Sequence, residues 1–122
     1  MFYDLISACL AQDAYRPRQL FDRFGIEALC TTESALDPLT WHKQIRDADW
    51  SGRVITAYRP DNVIDPDFEG FAQNVDALGD LTGEDTGTWH GYLAAHRTRR
   101  AFFKAHGATS SEHGHPTARS ED

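Results

Sequence analysis

Sulfur is scarce in this chain: 122 residues hold two cysteines and one methionine. Cys9 and Cys30 are too few and too far apart for a disulfide framework or a thiolate zinc site. Cys9 falls in an apolar helical stretch and Cys30 in a strand-like run, so both read as buried thiols. Positive charge is also short, with 12 Lys and Arg against 19 Asp and Glu and a formal net charge of −7. That balance excludes a general nucleic-acid surface, which needs clustered cations. The one dense basic stretch, Arg97, Arg99, Arg100 and Lys104, has helical spacing and reads as a solvated helix face near a C-terminal end. No apolar run approaches the ~20 residues that cross a bilayer, and the start lacks the basic and long apolar regions of a signal peptide. A soluble cytoplasmic protein is expected, with neither nucleic acid nor membrane as a partner.

What is present is a core-forming pattern, with 40% of residues apolar, enough for one domain or part of a larger one. Residues 2–12 place Phe2, Leu5, Ile6, Cys9 and Leu10 on one helical face. Pro17 opens a second helix that turns Leu20, Phe21 and Phe24 inward, and Gly25 stops it. A strand follows over residues 26–31. Asp37-Pro38 signals an N-cap and first-turn proline for a helix over 38–46, carrying Leu39, His42 and Ile45. A second strand covers 53–58 and ends because Pro60 cannot donate to a ladder and restricts Arg59. Asp65-Pro66 leads into a helix with Phe68, Phe71, Val75 and Leu78 that stops at Gly79, and residues 80–87 form a loop. Thr88 caps a longer helix to about His106 with Gly107 as its stop, and a last short strand reaches Glu112. Residues 114–122 lack apolar periodicity and are expected to be a disordered polar tail after an α/β segment over 1–113.

This order predicts an α/β fold with about three parallel strands, about five helices and right-handed crossovers. Three strands cannot close a barrel, so the chain is a small open domain or a piece of a larger one. Its open edges and uncovered apolar face predict self-association or a partner chain that completes the sheet.

Three polar clusters fall at the ends of the three strands, where parallel sheets bind ligands. In Tyr58-Arg59-Pro60-Asp61, the Arg59 guanidinium can clamp a carboxylate with two parallel donors, or it can pair with Asp61 or Glu33. Thr31 and Thr32, with Glu33, offer hydroxyls and a carboxylate to the same site, or cap the next helix. Ser111-Glu112-His113-Gly114-His115 suits acid–base work or a metal ligand, although His113 and His115 need a further ligand, and His115 beside Pro116 is expected in solvent. His42, His90, His96 and His106 fit core-edge or surface positions, and Trp41, Trp50 and Trp89 fit packing.

Taken together, Phe24 to Thr32 (FGIEALCTT), Leu36-Asp37-Pro38-Leu39 with His42, Tyr58-Arg59-Pro60-Asp61, and His106-Gly107-Ala108 before Ser111-Glu112-His113-Gly114 resemble uronate isomerase (glucuronate isomerase), a divergent amidohydrolase-superfamily member. The resemblance implies a middle segment of a (β/α)8 TIM barrel. It also implies interconversion of D-glucuronate with D-fructuronate and of D-galacturonate with D-tagaturonate in hexuronate catabolism. Arg59 then matches the arginine facing the sugar acid, with Thr31 and Thr32 as further substrate-binding residues, and His113 matches the active-site histidine. Glu112 stands where the family usually has Asp. The family's divalent metal, such as Zn, is held by a His-X-His that has no match here, and the catalytic Asp of the last strand has none either. No cofactor is therefore expected on this chain, and catalysis by it alone is not expected. The rival expectation is a non-catalytic binding or self-association module.

Overall fold

A computed structural model describes residues 1–114. Six α-helices and one short 3-10 turn surround a two-stranded parallel sheet. The order is α1 (Phe2–Leu10), the turn Asp13–Tyr15, α2 (Pro17–Arg23), β1 (Leu29–Ser34), α3 (Thr40–Asp47), β2 (Val54–Arg59), α4 (Asp61–Ile64), α5 (Phe71–Thr82) and α6 (Trp89–Ala105). The strands run in register from Leu29 opposite Val54 to Ser34 opposite Arg59. The expected third strand contracts to one parallel bridge, Tyr58 with Ser111. Its residues, Thr109-Ser110-Ser111, bring no apolar side chain to the sheet, and only β2 flanks them, so nothing extends the ladder. The tail expected over 114–122 lies outside the described residues from His115 onward, and so does the expected exposure of His115.

Strand β1 begins three residues later than expected and runs on through Thr32, Glu33 and Ser34 rather than ending at Thr31. Helix α3 also starts late. The Asp37 carboxylate accepts from the Leu39 amide at 2.7 Å, a local turn that satisfies a would-be helix donor and holds Leu39 at φ 54. Leu39 is fully buried in that left-handed state, so packing outweighs the backbone cost. Helix α5 passes through Gly79 and stops at Gly83, which has φ 73. Gly79 is there for contact, since a Cβ would lie 2.8 Å from the Thr86 hydroxyl. Gly91 at the start of α6 serves the same tight turn, because a Cβ there would overlap the Asp85 backbone.

Ala35, Leu39, Tyr58, Val63, Leu78, Ala95 and Phe103 form the core, at the meeting of β2, α5 and α6. Tyr58 meets Phe103 edge-on at 5.0 Å between ring centres. The Tyr92 hydroxyl donates to the Val63 carbonyl at 2.8 Å, tying α6 to α4. Thr88 caps α6 as its sequence implies, its side chain accepting from the Gly91 amide at 3.1 Å. Thr88→Ala should cost about 1 kcal/mol, read as a lower urea midpoint at unchanged slope. No change in midpoint would show the cap to be idle.

The other side of the sheet is less well covered than the periodicity suggests. Helix α1 buries no residue, and its expected inner face is open, with Phe2 79%, Leu5 62% and Leu10 62% exposed. Phe24, Trp41 and Trp89 are exposed too, whereas Trp50 packs against Phe21. The expected burial of both thiols does not hold: Cys9 is half-buried and Cys30 exposed.

His96 is buried in the core rather than at its edge, its Nδ1 3.1 Å from the Tyr58 hydroxyl and its Nε2 without a partner among the described residues. Burial holds its pKa below the ordinary imidazole range, and the Arg100 charge adds to this. Burial likewise pushes the Tyr58 hydroxyl up to about 12. Unfolding lets His96 take a proton that the core refuses, so stability falls as pH drops below about 6.5 and levels off below the depressed native value. Between pH 7.5 and 5, His96→Gln should flatten this loss in urea unfolding, and an equal slope in both chains would count against it.

Candidate functional site

Strand β2 ends at Arg59 because Pro60 has no amide hydrogen, and Asp61 then opens α4 directly. The Tyr58 amide donates to the Ser110 carbonyl and the Glu112 amide to the Tyr58 carbonyl, each at 3.1 Å. That pair of bonds carries Glu112 and His113 to the end of β2. There the Arg59 Nη2 donates to Glu112 Oε1, and its Nε lies 3.6 Å from Asp61 Oδ2. Asp61 is the hub, with His113 Nδ1 3.1 Å from Oδ1 and the Gly114 amide donating to Oδ2 at 2.6 Å. Partial burial works against the charge on Asp61. The bonds from Gly114 and His113 and the nearby Arg59 charge outweigh it and hold the carboxyl below the usual range. Asp61 therefore stays ionised and holds the Nδ1 edge of the His113 ring, and among the described residues Nε2 meets no partner. A cavity of about 600 Å³ opens beside this group, lined by Asp61, Ile64, Asp65, Phe68, His113 and Gly114.

Two of the expected site residues lie apart from this cluster. Thr31 pairs with Thr56 in the middle of the strands, about 10 Å below the Ser34–Arg59 level at roughly 3.3 Å per residue. Its hydroxyl lies 2.8 Å from His42 Nε2, and Glu33 Oε1 lies 3.7 Å from the same nitrogen. His42 thus serves as a partner for β1. Thr32 points to the opposite face from Thr31 by strand alternation and shares its face with Ser34 and Arg59. The structure therefore brings together Arg59, Asp61, Glu112 and His113, and leaves Thr31 on the helix-covered face.

The buried participant that the sequence reading overlooked is Arg99. Read as part of a solvated basic face, it is 5% exposed, with Nε donating to the Ala35 carbonyl at 2.7 Å and Nη2 to the Asp37 carbonyl at 2.8 Å. Its guanidinium lies 4.2 Å from the Phe102 ring centre. Arg99 therefore ties the loop leaving β1 to α6. Only its place on the Ala95, Arg99 and Phe103 side of α6 could have signalled this.

Among the described residues no group of three or more His, Cys, Asp and Glu side chains could hold an ion, and both Asp61 oxygens are already engaged.

The glucuronate isomerase family matches residues 1–121. A uronate isomerase of Mesorhizobium japonicum is 66% identical over 116 residues, covering 95% of this chain and 25% of that protein. That of Rhizobium meliloti is 62% identical over 116 residues, with the same shares. The crystal structure of glucuronate isomerase from Caulobacter crescentus superposes with a TM-score of 0.87 at 52% identity, over 98% of this chain and 25% of that one. A uronate isomerase from Thermotoga maritima gives 0.75 at 33% identity, over 80% of this chain and 22% of that one. The chain thus spans about a quarter of the length of the relatives it matches. Its two parallel strands, with the α3 crossover between them, are a segment of the TIM barrel those enzymes share. The chain belongs to the glucuronate (uronate) isomerase family.

Proposed function

We propose that this chain is the part of a uronate isomerase that grips the sugar acid and helps move its proton, in the aldose–ketose interconversion of D-glucuronate with D-fructuronate and of D-galacturonate with D-tagaturonate. The observation that carries the reading is the meeting of Arg59, Asp61, Glu112 and His113 at one strand end. Arg59 offers a planar two-donor fork to a carboxylate, and its Nη2 already donates to one oxygen of the Glu112 carboxylate. Isomerisation through an enediol needs a group that takes a proton from one carbon and returns it to the next. His113, oriented by Asp61 through Nδ1, is proposed to do that work with Nε2. Thr32, on the Arg59 face, is proposed as a further substrate contact. Thr31 keeps that role only if the hydroxyl leaves His42. The reading includes a cytoplasmic setting and, from the family resemblance, a role in hexuronate catabolism. Among the described residues no helix is long and apolar enough to cross a membrane.

No metal-dependent step is assigned to these residues, and the remaining catalytic groups must come from elsewhere in a full-length enzyme. The purified chain alone is therefore expected not to interconvert D-glucuronate and D-fructuronate. Substituted for the 116 matched residues of the Mesorhizobium japonicum relative, it should support that reaction. A folded chimera without isomerase activity would overturn the proposal.

A further inference from the structure

Acidic residues outnumber Lys and Arg in this chain by 19 to 12, yet one hollow has the opposite sign. A cavity of about 340 Å³ lies where α3 ends, β2 begins and α6 ends. Arg46, Arg53, Lys104 and His106 stand around it, and no Asp or Glu lines it. It is remote from the cluster at the far end of β2. Arg53 directly precedes that strand and Arg59 closes it, which puts them about 20 Å apart at roughly 3.3 Å per residue.

These basic groups have little other work. Arg46, Arg53 and Lys104 are exposed. Among the described residues Arg53, Lys104 and His106 enter no ion pair, and Arg46 has a loose one, its Nε 3.9 Å from Asp47 Oδ1. Cations often gather at a helix C-terminus to offset its carbonyls. At α6 the backbone already serves those carbonyls: Phe102 accepts from the His106 amide, Phe103 from the Ala108 amide and Lys104 from the Gly107 amide. Like charges brought together without a counter-charge repel one another and suit an anion of more than one charge.

Two of the four are held in place. The Arg53 carbonyl accepts from the Leu29 amide at 2.9 Å, which fixes its backbone at the start of β2. The His106 ring is pinned by Nδ1, 2.8 Å from the Phe102 carbonyl, and by the Phe102 ring at 4.2 Å between centres. A carbonyl only accepts, so Nδ1 carries a hydrogen and Nε2 is left on the other edge of the ring. Trp50 closes a further side, its ring so near Gly52 that a Cβ there would overlap it.

We propose that this cavity binds a phosphate group, free or as the monoester of a small metabolite, between the ends of α3 and α6 and the start of β2. A phosphate monoester carries about −1.5 to −2 charges at neutral pH and three strong acceptor oxygens, enough to engage both guanidiniums and the ammonium. A carboxylate brings one charge and two oxygens and would leave donors idle. Ile45, Val54 and Ile55, which also line the cavity, suit the carbon frame of an ester. The inference is independent of the roles proposed for Arg59 and His113.

The test is calorimetric titration of the full chain with inorganic phosphate and, separately, with glycerol 3-phosphate, at constant ionic strength. Saturable one-to-one binding is expected. Arg53→Gln and Lys104→Met, on separate elements and both at exposed positions, should each weaken it at least tenfold with unchanged circular dichroism, each losing one charge-assisted bond. Arg97→Gln, an exposed cation outside the cavity, should leave it unchanged. Ligand at a hundred times its Kd should favour the folded chain about a hundredfold in urea. Binding of both ligands supports a site for the phosphate group itself, and binding of the ester alone supports one that also reads the carbon frame. No saturable binding of either overturns the proposal, and so does an equal loss in Arg97→Gln, which would show diffuse attraction. D-glucuronate binding as tightly through Arg53 and Lys104 overturns it in favour of a carboxylate site.

Discussion

Arg99→Ala should lower the unfolding free energy by about 3 kcal/mol or more, a large share of the roughly 5–15 kcal/mol by which a domain is ordinarily stable. The guanidinium donates to the carbonyls of Ala35 and Asp37, and Ala35 is fully buried. Truncation leaves both acceptors facing a cavity, and each buried group that loses its partner costs about 1–3 kcal/mol. It also removes the cation from the face of Phe102 and a wall from beside Phe103, which is 1% exposed. Arg100 is exposed on the same helix, so Arg100→Ala should stay within about 0.5 kcal/mol of the parent. Arg99→Lys should fall between them, since one ammonium can reach one carbonyl but cannot span both. Urea denaturation of the three variants decides the matter. Equal midpoints for Arg99→Ala and Arg100→Ala would show the buried bonds to be energetically idle.

That contrast shows where sequence reading reaches its limit. Arg97, Arg99 and Arg100 are chemically alike and adjacent, and local periodicity cannot tell which of them looks inward. The distinction arises from Ala35 and Asp37, more than sixty residues earlier, whose carbonyls need donors once β1 ends. The strand-end cluster was far more legible. Pro60 fixes where β2 stops from local sterics alone, which puts Arg59 at a strand end and Asp61 beside it. The partner of Arg59 was less so, because choosing Glu112 over Glu33 depends on the single bridge between Tyr58 and Ser111.

The first strand illustrates a register error with functional consequences. Ala28-Leu29-Cys30 reads as the buried stretch, yet the ladder starts at Leu29 and carries the polar residues Thr31 to Ser34. Polar side chains persist there because His42 meets Thr31 on one face, while the other face carries Thr32 and Ser34 beside Arg59. Two threonines that looked like one motif therefore serve opposite sides of the sheet. The exposed face of α1 has a related cause. Its apolar periodicity was real, but periodicity records a face that needs covering and not whether the cover lies within the same 122 residues.

In the chimera described above, Arg59→Lys should reduce kcat/KM for D-glucuronate by about ten- to a hundredfold, the equivalent of losing one charge-assisted hydrogen bond of roughly 1.5–3 kcal/mol. A lysine keeps the positive charge beside Asp61 and Glu112, but its ammonium cannot present two parallel donors to a planar carboxylate. Stability should hardly respond. The Arg59 side chain is 43% exposed and that of Glu112 42%, and ion pairs in such surroundings contribute about 0–1 kcal/mol. The same pair has to open or share its donors when a sugar acid arrives, since Arg59 Nη2 is already engaged by Glu112. Glu112→Gln should therefore loosen the guanidinium and lower KM in the chimera, provided Asp61 still orients His113. Should Arg59→Lys instead retain full efficiency while melting well below the parent chimera, Arg59 would be a strut between β2 and the segment at Glu112, and the carboxylate of the substrate would have to be held by another residue.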